Sequence, residues 1–209
     1  MNKITVQKQR QGYNREPAAS SPHRFDSVST VESVVTKALK NSANKMGLGN
    51  TKAIIARLQE SDSVAFSYCN HSIAKQLGAV LGLLDKNIKA VYICDYDDAT
   101  PEDVCFCEAP PVSLVHLIIW VECKTKAVDA LVAAMDHAMV QHYSHMLGLH
   151  DLQHVLDVQV IDNEDVRSRT GFGALLQSVY QPPIQVWRSA LISADNAELK
   201  HQKRDRKTE

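Results

Sequence analysis

Ile88-Lys-Ala-Val-Tyr-Ile-Cys94 and Ser113-Leu-Val-His-Leu-Ile-Ile-Trp-Val-Glu-Cys123 decide the reading of this chain. Both segments are rich in β-branched and aromatic side chains and nearly unbroken in hydrophobicity. That composition suits central strands covered on at least one face. Between them lie the acidic run Asp95-Tyr96-Asp97-Asp98, a Cys105-x-Cys107 pair and Pro110-Pro111. The prolines impose an extended approach to the second segment and, with the cysteines, make a poor crossover helix. The two strands are therefore expected side by side and antiparallel.

Working outward, residues 64–69 read as a first strand, with Ser72 placed to cap a helix carrying Ile73, Leu77, Val80, Leu81 and Leu84. Ala74, Gly78 and Gly82 recur along that helix, a small-residue stripe suited to close approach to a sheet; each glycine costs about 1 kcal/mol relative to alanine. Downstream come a long helix over residues 125–147 ended by Gly148, a strand over 155–161, a short helix reaching Tyr180 and an edge-like segment over 184–187. Strand, helix, strand, strand, helix, strand is the order of a ferredoxin-like βαββαβ sandwich, an α+β fold. The alternative is an α/β doubly wound parallel sheet, which needs residues 97–112 to act as a crossover.

Two accessory helices precede this unit. The first opens on a capping box from Ser29 to Glu32 and carries Val31, Val34, Val35, Ala38 and Leu39 on one face; the second covers residues 51–59. The domain plan is thus a disordered basic arm over 1–25, accessory helices over 26–60, the sandwich over 61–190 and a charged tail over 191–209. Lys3, Lys8, Arg10, Arg15 and Arg24 make the arm basic, and Tyr13 offers an aromatic anchor for an acidic protein partner.

Composition excludes several classes. A net charge of -1 argues against nucleic-acid binding, which needs a clearly basic face. The longest apolar run, residues 114–121, is strand-sized, so no membrane span is expected, and no apolar segment follows the N-terminal basic residues as in a secretory signal. Five cysteines without a small-domain framework point to reduced thiols and a cytoplasmic setting.

Four constellations are candidates for chemistry. Asp95 and Asp97 follow one strand, and Asp162 and Asp165 another, a supply of hard oxygen ligands for magnesium. Asp95-Tyr96-Asp97 after an apolar strand resembles the first motif of haloacid-dehalogenase-type phosphatases, although Ala99 stands where that family has Thr or Val. That resemblance implies a magnesium-dependent enzyme acting on a phosphorylated small molecule. The plainer reading is that aspartates end strands in solvated turns. Arg167, Arg169, Thr170, Gly171 and Gly173 form a second candidate, an anion-binding turn before a helix start. Cys69 and Cys123, each last in an expected strand, converge at one edge of a ferredoxin-like sheet, where thiolates bind zinc or do redox chemistry; buried cysteine more often serves as a small hydrophobe. Finally, His142 and His145, and His150 and His154, fall at helical spacings that place imidazole pairs on one face.

No Gly-x-Ser-x-Gly elbow is present, and spacing alone brings no cysteine and histidine together. The leading functional expectation is a non-catalytic cytoplasmic ligand-binding, assembly or regulatory protein acting as a homo-oligomer. Tyr68, Tyr92 and Trp120 are expected on the exposed sheet face as its interface. The magnesium enzyme is the alternative.

Overall fold

The computed structural model describes residues 26–94 and 114–190. The basic arm, Asp95, Asp97, the Cys105-x-Cys107 pair and the charged tail lie outside them. The described residues form α1 (Ser27–Lys45), α2 (Thr51–Gln59), α3 (Ser63–Leu84), β1 (Ile88–Ile93), β2 (Val115–Val121), α4 (Lys126–Leu147), β3 (Leu156–Ile161), α5 (Asn163–Ser168), α6 (Phe172–Leu175) and β4 (Ile184–Arg188). The four strands make one mixed sheet in the order β3-β2-β1-β4.

β1 and β2 are antiparallel, as their sequences led us to expect, with Ala90 opposite Trp120 and Ile93 opposite Leu117. Strand alternation then divides β2 between two environments. Val115, Leu117, Ile119 and Val121 enter the main core, while Ile118 and Trp120 enter a smaller cluster on the other face. β3 pairs parallel with β2, from Val115 opposite Leu156 to Trp120 opposite Ile161. β4 closes the other side as an antiparallel edge strand against β1.

The expected first strand is a correction. Residues 64–69 are the opening turns of α3, a single helix of 22 residues. Asp62 starts it, its carboxylate accepting the N–H groups of Val64 (2.9 Å) and Ala65 (3.1 Å). The buried positions Ala65, Cys69, Ile73, Leu77 and Leu81 then repeat every four residues without a break. Ser72 is therefore no cap. It is buried in the helix interior, 3.1 Å from Ser42 Oγ, and Ser42 also donates to the carbonyl of Tyr68. A split βαβ unit needs a strand between its two parallel strands, and the direct pairing of β2 with β3 leaves no such gap. The observed architecture is a mixed α+β sheet, neither a ferredoxin-like sandwich nor a wholly parallel sheet.

β2, α4 and β3 form a crossover between neighbouring parallel strands. Thr125 caps the start of α4 and Gly148 ends it with a positive φ of 71°. One carboxylate then fixes how the helix meets the next strand. Asp136, on α4, accepts the N–H groups of both Val155 and Leu156 at 2.9 Å and lies 2.7 Å from His154 Nδ1.

The helices build a layer on the main face of the sheet. α1 starts at Asp26 rather than at a Ser29 box, with the Asp26 carboxylate accepting from Val28 and Ser29. Its Val31, Val34, Val35 and Ala38 join Ile54 and Leu58 of α2 and Met135 and Met139 of α4 in one continuous core with the sheet. α3 lies across β1 and β4, and there its glycines are explained. A Cβ on Gly78 would stand 2.7 Å from Trp187 Cβ and 3.3 Å from Val91 Cβ, and one on Gly82 would enter the Trp187 ring. The second face carries a smaller cluster of Cys94, Ile118 and Ile161, roofed by Val166 of α5 and by Leu175 and Leu176 at the end of α6.

Gly78→Ala should therefore lower the unfolding free energy by roughly 1–3 kcal/mol, since overpacking outweighs a helix-propensity gain of about 1 kcal/mol. Urea denaturation checks this; an equal or higher midpoint would show that the α3–β4 contact tolerates a side chain there.

Candidate functional site: a polar row on the second sheet face

Of the expected carboxylate site, Asp95 and Asp97 lie outside the described residues, while Asp162 and Asp165 follow β3. Cys94, the last described residue before Asp95, donates its N–H to the carbonyl of His116 at 3.0 Å. Ile161, which precedes Asp162, pairs instead with Trp120. Asp162 and Asp165 have local structural work. They form a capping box on α5, Asp162 accepting from the N–H groups of Glu164 and Asp165 while Asp165 accepts from that of Asp162. Asp165 further pairs with Lys124 at 2.6 Å. Among the described residues no group of three or more His, Cys, Asp or Glu side chains is placed to hold a metal ion.

The expected anion turn folds back on α5. Arg167 pairs with Glu164, Thr170 N–H bonds the Asp165 carbonyl at 3.0 Å, and Gly173 packs against the backbone of Asp165 too closely for any side chain. Arg169 and Gly171 take positive φ values of 53° and 49° to make the reversal. The helix that follows, α6, has only 4 residues. Ser168 and Arg167 hold the Glu164 carboxyl below its ordinary range, so the Arg167 guanidinium is already paired with an acid.

Cys69 and Cys123 do not converge. Cys69 lies within α3, and Cys123 is tied to Asn87 beyond that helix's far end, its N–H donating to Asn87 Oδ1 at 3.1 Å. The 15 residues from Cys69 to Leu84 span about 22 Å of helix. Burial also pushes the Cys69 thiol up to about 11, partly offset by Ser42. Of the histidines, His142 and His145 share a groove of about 470 Å³ between α1, α2 and α4, with Leu39, Ile55 and Met146 among its walls. Burial holds His142 below its usual value; Glu32 opposes that and His145 adds to it. His150 and His154 lie in the connection after α4, not on a helix. Tyr68 belongs to α3, whereas Tyr92 and Trp120 do lie on the second sheet face, where Trp120 Nε1 donates to Asn163 Oδ1 at 2.9 Å.

What the sequence did not reveal is a row across three neighbouring strands. Cys94, His116 and Asp157 lie side by side on the second face. The pairing of Ile93 with Leu117 sets Cys94 beside His116, and β3 sets Asp157 opposite His116. His116 Nδ1 stands 2.9 Å from Asp157 Oδ2, and Gln159 donates to the other Asp157 oxygen at 3.3 Å. The row opens toward solvent. Cys94 is buried beside Ile118, His116 is half-buried, and the Asp157 side chain is 45% exposed. α5 and α6 pack on the same face, with Val166, Leu175 and Leu176 against the cluster of Cys94, Ile118 and Ile161. Chemically the row offers a thiol, an imidazole whose orientation a carboxylate fixes, and an amide, over an apolar floor.

No protein-family model, curated protein or solved structure matches this chain. Among the described residues no helix is long and apolar enough to cross a membrane.

The Lys124 ammonium and then the Asp162 N–H hold the Asp165 carboxyl below its ordinary range, while Asp165 raises Lys124. A carboxylate with a depressed folded-state value stabilises the fold above its unfolded value, and that contribution disappears as pH falls through the folded one. Asp165→Asn should therefore be less stable than the wild type at neutral pH, by at most about 1 kcal/mol for so solvent-screened a pair. The gap should close in acid. Urea midpoints measured across the acid range check this, and a gap independent of pH would refute it.

Proposed function

We propose that this chain is a cytoplasmic binding protein that works as a homo-oligomer, with the open end of the second sheet face as its ligand surface. The His116–Asp157 pair carries the reading. It fixes a histidine in orientation over the apolar floor of Cys94 and Ile118, the combination of few placed polar groups and apolar lining that small-molecule sites use. A ligand matched to it is small and presents a hydrogen-bond donor to Asp157 or Gln159 with an apolar body toward Ile118.

The edge of the sheet supports the oligomer. Among the described residues β4 is bonded to a neighbour on one side only, and just before it Val179 and Tyr180 are 89% and 97% exposed, with Ile184 half-exposed on the strand. Apolar side chains displayed beside an edge strand are what a second copy of the chain would cover. The thiols of Cys69 and Cys123 fit a reducing compartment.

Sedimentation equilibrium should give a mass at least twice that of the 23.2 kDa chain, and Tyr180→Lys with Ile184→Lys should return it to the monomer. A monomeric wild type would defeat the assembly part of this reading. For the ligand surface, a thermal-shift screen of small amides, amines and carboxylates should yield compounds whose shift is lost in Asp157→Ala but kept in Asp165→Asn. Shifts insensitive to Asp157 would place binding elsewhere.

A further inference from the structure

We infer that the groove between α1, α2 and α4 is a binding site for a small amphipathic anion, a carboxylate or sulfonate carried on a short aliphatic body. This is a second site, on the helical layer, and it does not depend on the reading of the second sheet face as a ligand surface.

The cavity supplies the shape. Its volume of about 470 Å³ falls within the range of small-molecule sites, roughly 300–1,000 Å³. Leu39, Ile55 and Met146, one from each helix, give it apolar walls; Leu39 is buried and the other two are half-buried. Thr36 and Thr51 add hydroxyls, and His142 and His145 add two imidazoles from one face of α4. None of these lining residues is acidic. The surrounding charge then selects the sign of the ligand. Although the chain carries a net charge of -1, residues 27–59, which contain α1 and α2, hold Lys37, Lys40, Lys45, Lys52 and Arg57 against one acid, Glu32. Arg57 is paired with Asp62 at 3.3 Å, whereas the four lysines are exposed and have no acid partner among the described residues. Lys40 follows Thr36 by one turn of α1, which sets it on the rim of the groove. An apolar cavity under a basic rim suits an anion with an apolar tail, its head taking charge-assisted hydrogen bonds from an ammonium and the threonine hydroxyls.

The imidazoles add a pH response. Burial holds His142 below its ordinary value, so it is uncharged at neutral pH. Glu32 on α1 opposes that effect, His145 on α4 reinforces it, and α2 presents only Thr51 and Ile55 to the groove. Protonation of His142 in mild acid places a positive charge in the cavity, and a bound anion favours that form. Affinity for an anion that keeps its own charge therefore rises as the pH falls through the His142 value.

The test titrates the full chain by calorimetry with octanesulfonate, which stays ionised in mild acid, and with octanol, which has the same tail and no charge. Octanesulfonate should bind about 10-fold tighter than octanol, the scale of one charge-assisted hydrogen bond. Lys40→Glu, an exposed position where substitution leaves the fold intact, should weaken octanesulfonate by about 10-fold and leave octanol unaffected. Lowering the pH from about 7 to about 5.5 should tighten octanesulfonate several-fold, and His142→Gln combined with His145→Gln should remove that gain. Equal affinity for the two probes, absence of binding, or an octanesulfonate affinity indifferent to Lys40 overturns the inference. Asp157→Ala should leave the titration unchanged; loss of binding in that variant would move the anion to the second sheet face and overturn the assignment to the groove. Failure in the groove leaves the ligand surface at Asp157 standing, since its own thermal shifts are read separately.

Discussion

The alternation of β2 governs the molecule. Its odd-numbered residues, Val115 to Val121, are driven into the main core, and that burial turns His116, Ile118 and Trp120 to the opposite face. A slip of one residue would exchange the two sets and set a histidine and a tryptophan against the helices. Because β2 is bonded on both sides, its register is passed to β1 and β3 together, and each face inherits the partition. The polar row is thus a by-product of core formation. Once the aliphatic side chains are committed inward, Cys94, His116 and Asp157 have no other place to lie.

Two side chains away from the sheet's centre keep its flanks in position. Asp136 meets the first N–H groups of β3 with one carboxylate oxygen, so the end of the connection from α4 is fixed by a charge-assisted contact on one helix. At the other edge Trp187 fills the gap opened by Gly78 and Gly82, which draws α3 down on β1 and β4. The first contact sets where β3 begins, and the second sets how deep the helical layer sits. The hydroxyl of Tyr143 lies fully inside the core with no hydrogen-bonding partner among the described residues.

Much of this was legible in the chain because it is local. Residues 51–59, the long helix closed by Gly148 and the antiparallel β1–β2 pair all follow from caps, periodicity and the prolines between the strands. The run from Val64 to Cys69 deceived because Val, Phe and Tyr alternate with small residues there over a short window. Only the spacing of Ala65, Cys69, Ile73 and Leu77 over a longer one shows a helix, together with Asp62 before it. Asp162 and Asp165 were read as metal ligands, yet their separation by three residues is also that of a reciprocal cap, which is what they make. The row on the second face was hidden for a different reason. Cys94, His116 and Asp157 are far apart in sequence and meet only through two strand registers, which no local pattern specifies.

α3 belongs to both halves of the interior. At 22 residues it is about 33 Å long, its Phe66 and Cys69 end lying among the helices and its Gly78 and Gly82 end pressed on the sheet. The preceding helices are consequently not an ornament that a shorter version of the protein could discard. Cutting the chain before Asp62 would strip the cover from the upper part of this rod, bare Ala65, Cys69 and Ile73 to water, and loosen the same element on which Trp187 is seated.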